Sequence, residues 1–312
     1  MPLVIRPLAA ADVEEAARIV SVAFGTHLGV ADPEAPRDDR NSIGTRWRAN
    51  PDAALGAWLD GRLVGCVLAA NWGSVGWFGP LGVRPDYWGQ GIAQALLAPA
   101  MELFARWGTE HIGLYTFAHS PKHLALYQKF GFWPGHLTTI MERPVDRKTS
   151  GEPATLFSAL DSEERTDCLN GCNEVTGSIL PGFDLAGEVR AVLDQNLGDT
   201  VLVAGDRLEA FAVVHSGPGT EAGTGTAFVK CAAVRAGPKA ARHFDALLDA
   251  VEGFAAAGGF GTVTAGVNLA RREAAQAMIA RGYRTAIQGV AMHRGGGEGY
   301  NRAGVFALDD WR

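Results

Sequence analysis

Residues 79–97, GPLGVRPDYWGQGIAQALL, constrain the fold more than any other stretch of this chain. An apolar run ends in the turn Trp88-Gly89-Gln90-Gly91-Ile92-Ala93. The turn feeds directly into a helical pattern at Ile92, Leu96, Leu97, Ala100, Leu103 and Phe104. A small-residue turn at a helix start leaves several backbone N–H groups unpaired and pointing one way, and the helix dipole adds partial positive charge there. Such a turn holds phosphate without a lysine or arginine. The spacing is G-x-G-x-A, some 80 residues into the chain, which does not fit the dinucleotide fingerprint. No Gly-Lys-Ser/Thr follows, which excludes a Walker A loop. A plain strand-to-helix connection is the bland alternative.

The continuation favours the phosphate turn. After its helix come a strand, residues 112–117, and a second helix ending Ala125-Leu-Tyr-Gln-Lys-Phe-Gly-Phe132. Ser120-Pro121 suits that helix's start, serine as cap and proline at the first position. Gly131 suits its left-handed end. Upstream lie a strand at Leu3–Ile5, a helix from Ala11 to Phe24, and a helix capped by Asp38 or Asp39 and running through Trp47. Two strands, Ala53–Leu59 and Leu63–Ala70, are joined at Asp60-Gly61, a strong hairpin signal, and a third spans Val75–Val83. This order implies an α/β (α+β mixed) sheet with helices on both faces.

In that order the motifs resemble the acetyl-coenzyme A site of the GNAT superfamily of N-acetyltransferases, over roughly residues 3–143. The family's turn is Arg/Gln-x-x-Gly-x-Gly/Ala. Gly91 and Ala93 match it, and Trp88 stands where Arg or Gln is usual. The family's later signature, Tyr with Gly-Phe four residues on, is met by Tyr127, Gly131 and Phe132. Its frequent Asn is Ser120 here. The resemblance implies acetyl-CoA as cosubstrate, an amine as acceptor and no metal. The pyrophosphate would lie on Trp88, Gly89, Gln90, Gly91, Ile92 and Ala93. The pantetheine arm would lie along the main chain of Leu81, Gly82 and Val83, with Ser120 nearby. Tyr127 becomes the candidate general acid for the departing thiolate, since a phenol is protonated at neutral pH. By itself an amphipathic helix tyrosine reads as packing. The general base is not visible. His119 and His123, four apart, suit a water-linked base, a pH-sensitive contact or a metal pair lacking its third ligand. Lys122 would meet a 3′-phosphate or solvent. Asp32, Glu34, Asp38 and Asp39 would attract an amine or form a solvated loop. Trp47, Trp72, Trp77, Phe78 and Trp88 would wall an acceptor cleft or fill the core.

The 312 residues suggest two domains. The second half repeats the first weakly. A gap-free shift of 151 places Val83-Arg84 on Val234-Arg235, Ala95–Leu97 on Ala246–Leu248 and Gly131-Phe132 on Gly282-Tyr283. A shift of 145 relates Asp60–Leu63 to residues 205–208. Under the first shift Gly91 becomes Arg242, Ala93 becomes Phe244 and Tyr127 becomes Met278, so the cofactor chemistry is missing. The expected division is a catalytic domain, 1–146, a linker, 147–155, and a degenerate GNAT-like domain, 156–312. The second domain would complete the acceptor pocket or form a homodimer interface.

Net charge is −6, all of it beyond residue 150, which argues against nucleic acid. No apolar run reaches 18 residues, so no membrane span is expected. Four cysteines without framework spacing point to a reducing, cytoplasmic setting, and Cys168 and Cys172 read as buried helix residues. Two other function classes remain open at this stage. One is an acyl-CoA-binding regulatory or scaffolding protein without turnover. The other is a nucleotide module unrelated to coenzyme A.

Overall fold

Asp60 and Gly61 turn the chain with φ of 52° and 77°, the left-handed pair that a tight hairpin needs. They join β2 (Ala54–Leu59) to β3 (Arg62–Trp72). In this computed structural model, which describes residues 2–35, 38–145, 154–295, 297 and 299–312, every expected element of the first half is present. The remainder are β1 (Val4–Pro7), α1 (Val13–His27), α2 (Ser42–Ala49), β4 (Val75–Val83), α3 (Ile92–Trp107), β5 (His111–Thr116), α4 (Pro121–Gln128) and β6 (Trp133–Pro144). The expected linker lies outside the described residues as far as 153. Thr155–Leu156 then form β7.

The second half runs α5 (Ser162–Ile179), α6 (Ala186–Asp194), β8 (Gly198–Ala204), β9 (Leu208–Gly217) and β10 (Gly223–Val234). It continues through α7 (Ala240–Ala257), β11 (Thr262–Asn268), α8 (Arg272–Ala280), β12 (Arg284–Arg294) and β13 (Ala307–Asp309). Strand register verifies both shifts read from the sequence. Val75 pairs with His111 and Thr226 with Thr262, each 151 residues on. Ala70 pairs with Trp77 and His215 with Phe228, 145 and 151 residues on.

The halves share one continuous sheet in the order β1-β2-β3-β4-β5-β12-β6-β11-β10-β9-β8-β7. The last strand of each repeat completes the other's sheet. β12 pairs with β5, Ile112 opposite Arg294, and β6 pairs with β11, Val263 opposite Arg143. Those pairs are related by the same 151-residue shift, so the exchange is reciprocal. β6 and β12 pair with each other at the centre. We propose 1–146 and 156–312 as the repeating sequence units; in space neither sheet is complete without the other unit.

On one face of the first half, α3 and α4 bury Leu96, Leu97, Ala100, Phe104 and Tyr127 against Val67, Phe78, Leu114 and Phe132. On the other face α1 and α2 cover Trp58, Cys66 and Leu68. Two cap readings need correction, and the alternative left open for the buried aromatic residues is decided for the core. The cap of α2 is Asn41, whose side chain accepts from the Gly44 N–H at 2.9 Å. Asp38 instead pairs with Arg40, and Asp39 receives Thr224. Ser120 starts α4 through its main-chain carbonyl, which accepts from His123 and Leu124, while its hydroxyl makes no capping bond. Trp72, Trp77 and Phe78 are 1–2% exposed and belong to the core, not to a cleft wall. Trp47 anchors α2 through an indole bond to the Leu8 carbonyl.

Candidate active site

β4 and β5 are paired in parallel over three residues, Val75–Trp77 against His111–Gly113, and then part. Beyond that point each strand presents main chain toward the other. β13 in the second half shows which groups on β4 do so. There Val234 donates to Phe306 across the equivalent gap, and alternation makes Ala232 its companion. The matching residues on β4 are Val83 and Leu81. The gap leads up to the Gly turn, where Gly89 and Gly91 take φ of 80° and 78°. A Cβ at either glycine would meet nothing within 4 Å, so the space over the turn is open. Gly89, Gln90 and Gly91 are exposed. The first helical bond of α3 runs from Ala95 to Gly91, and no described residue accepts from the N–H groups of residues 89–94. These N–H groups lie at a helix start, where the helix dipole adds partial positive charge.

Trp88 does something the sequence did not reveal. Its indole N–H donates to the Val83 carbonyl at 2.7 Å, occupying one of the groups facing the gap. The Lys122 ammonium lies 4.5 Å from the centre of the same ring, so β4's loop and α4 touch across the mouth of the gap.

Tyr127 lies on the same side of the sheet, packed on Phe78 with ring centroids 5.8 Å apart and 8% exposed. Burial pushes its phenol well above the ordinary range, opposed in part by a hydrogen bond with Thr116 at the end of β5. Gly131 ends α4 at φ 81°, and Phe132 fills the core beneath Phe78. Ser120 is buried beside them, 5% exposed.

His119 and His123 are drawn into a cluster with His27, from the end of α1, around Phe117. The His27 and His123 rings are 4.6 Å apart. Burial, reinforced by His27, Lys122 and His119, pushes the His123 imidazole down to about 4. His27 is lowered for the same kinds of reason. Both are therefore neutral at pH 7. His27, the last residue of α1, is 92 positions from His119 in sequence, and the pattern of α1 gave no signal for it beyond helix periodicity.

The family model for acetyltransferases of the GNAT family matches residues 17–132. Residues 17–132 form a GNAT acetyltransferase domain. Mycothiol acetyltransferase of Clavibacter sepedonicus is 31% identical over 115 residues, 36% of this chain and 38% of that protein. The Clavibacter michiganensis protein of the same name is 30% identical over 134 residues, 42% of each chain. The match thus spans about two fifths of these relatives. Whole-chain likeness comes from solved structures. A Pyrococcus horikoshii protein assigned as an acetyltransferase aligns over 99% of this chain and 95% of its own, at 16% identity and a TM-score of 0.69. A tandem GNAT protein from the clavulanic acid biosynthesis pathway aligns over 94% and 98%, at 15% identity and a TM-score of 0.54. The fold is a tandem GNAT fold, and the second half shares it although its own sequence lacks the site motifs. Among the described residues no helix is long and apolar enough to cross a membrane.

Proposed function

We propose that the first half binds acetyl-CoA and transfers its acetyl group directly to an amine. The observation that carries this reading is the placement of three features around the parting of β4 from β5. Free N–H donors at residues 89–94 lead into the parting of β4 from β5, and the buried Tyr127 phenol borders that parting. The donors and the helix dipole suit a diphosphate. Main chain at Leu81 and Val83 suits an amide-bearing arm laid down like an added strand. The amine nitrogen attacks the thioester carbonyl, the C–N bond forms and the C–S bond breaks. Tyr127 gives the departing sulfur a hydrogen bond and then its proton. The proton released by the amine restores the phenol through water, with the neutral His27–His123 pair as the proposed imidazole acceptor. We assign the whole to a reducing cytoplasmic setting, consistent with four free cysteines.

The acceptor is proposed as an amine and no further. The relatives' name puts the unacetylated form of mycothiol on the panel to be tried. Release of free thiol from acetyl-CoA with that panel is the test. Tyr127→Phe should lower kcat about 100-fold or more while the KM for acetyl-CoA changes less than threefold. Equal loss in both would make Tyr127 a packing residue.

One observation favours a second reading, an acyl-CoA binder without turnover. Trp88 already holds the Val83 carbonyl, and Lys122 covers the indole. That reading predicts saturable acetyl-CoA binding, no thiol release with any amine, and no effect of Tyr127→Phe.

A further inference from the structure

The second half has the same parting of its strands, and it is filled. β10 pairs with β11 over Thr226–Val229 and Thr262–Ala265, then diverges as β4 does from β5. Into the gap comes β13, antiparallel to β10, with Asp309 opposite Cys231 and Ala307 opposite Ala233. One residue earlier, the Val234 N–H donates to the Phe306 carbonyl. This is strand addition to the edge where the first half leaves main chain without a strand partner.

Several residues that have no counterpart in the first half's site seat this strand. Phe244, in the place of Ala93, packs on Phe306 with centroids 5.3 Å apart. Arg271, in the place of Ser120, is fully buried. It donates to the Ala307 carbonyl at 2.7 Å and to the Asp309 carboxylate at 2.6 Å. Tyr300 donates to the other Asp309 oxygen at 2.5 Å. Gly266, in the place of Tyr115, lies so close that a Cβ there would be 2.1 Å from the Asp309 carbonyl oxygen. A groove occupied this way has no room for a pantetheine arm.

The chain leaving β13 goes to the first half. Trp311 lies on Gly113 of β5, where a Cβ would be 2.3 Å from the indole. Its carbonyl and Arg312 cover Gly79 of β4. Arg46 of α2 donates to the carbonyls of both Gly79 and Arg312, fixing this contact. Successive residues of a strand face opposite sides. Leu114 and Thr116 face Tyr127, so Gly113 and Tyr115 face Trp311. The segment therefore closes the base of the first half's gap on the side away from Tyr127. Beside it opens a cavity of about 470 Å³ between the halves, lined in part by Arg312, Glu221, Asp39, Glu142, Ile140 and Ile287.

Resting on the acetyl-transfer reading for its second part, we propose the following: β13 is a built-in strand ligand that plugs the second half's groove, and Arg312 beyond it, held in place by the buried Trp311 and lining the cavity between the halves, is the acceptor-side wall that sets which amines reach the first half's thioester. The plug is tested without any activity, by hydrogen exchange on the whole chain. Amides of residues 306–309 should be protected with or without acetyl-CoA. Arg271→Met should speed their exchange at least tenfold and leave β4 and α3 unchanged. Exchange at the unstructured rate in the parental protein would overturn the plug. The wall is tested with ethylamine, spermidine and glucosamine as acceptors, alongside the acetyl-CoA dissociation constant. Arg312→Ala should raise the kcat/KM ratio of glucosamine to ethylamine at least tenfold, with acetyl-CoA binding within twofold, and Arg312→Lys should fall between. Ratios within twofold of parental for both variants, or acetyl-CoA binding shifted as much as the ratio, would overturn the wall. A parental protein that binds no acetyl-CoA would end the activity reading and the wall with it, leaving exchange to decide the plug.

Discussion

Gly91 carries the least side chain and the largest local consequence. At φ 78° a β-branched residue costs about 1–2 kcal/mol of backbone strain. A Cβ there meets nothing, so no packing is disturbed. Gly91→Val should therefore lower stability by about that amount and weaken acetyl-CoA binding at least tenfold, because the added methyls stand over the free N–H groups. Calorimetric binding and thermal unfolding of the same sample separate the two effects, and unchanged affinity would remove the turn from the site. Glycine at 91 was legible because an open left-handed turn before a helix admits little else. The roles of Trp88 and Arg271 were not legible. An indole reaching back five residues to a carbonyl, or a fully buried guanidinium, depends on what the fold places opposite.

Among the elements, the contrast lies between the open β4–β5 gap and the filled β10–β11 gap. The two carry the same register, so the difference comes from side chains, and Gly266 is its sharpest point. Gly266→Val pushes a side chain into the backbone of Asp309, which cannot give way while Arg271 and Tyr300 hold that residue. We expect about 3 kcal/mol of destabilisation, read from the shift of a urea transition at constant slope. A loss below about 0.5 kcal/mol would mean that β13 is not fixed there. The order of elements was readable because apolar periodicity and the turns at 60–61, 89–91 and 131 coincide. The seating of β13 was not, since a three-residue strand has too few positions to show a period.

At the scale of the whole molecule, two cooperating structures set stability. The reciprocal exchange of β6 and β12 means that residues 1–145 alone lack the strand that covers β5. Expressed alone they should be unfolded or aggregated by circular dichroism and size exclusion, and co-expression with residues 154–312 should rescue them. A folded monomeric first half would contradict the exchange. Between the halves, Arg46, Glu221, Lys230 and Glu188 form a buried ion-pair network. Burial opposes ionisation of Glu221, but Arg46 and then Lys230 outweigh it and hold the carboxyl down. His215 lies against the same groups. Burial, with Lys230 and Arg46 and against Glu221, pushes it down to about 3. Its unfolded value is about 6.5, as is that of His123, held at about 4. Between those values the unfolded chain binds more protons, so stability is full above pH 6.5 and falls as pH drops from 6.5 toward 3. The urea midpoint at pH 5.0 should lie below that at pH 7.5, and His215→Asn should narrow the difference. Equal midpoints in the parental protein would refute the assignment.

Local chemistry determined the strands, the helices, the phosphate-type turn, the repeat and the loss of Gly91, Ala93 and Tyr127 equivalents from its second copy. The elements and the turn follow from spacing within a few dozen residues, where periodicity and left-handed turns leave a direct trace, and the repeat follows from comparing two such stretches 151 residues apart. Tertiary structure alone decided the strand exchange, the meeting of His27 with His123, and the filling of the second groove by residues 306–309. Those contacts join residues far apart in the chain, and such pairings are selected by mutual fit of surfaces, which no single stretch of sequence encodes.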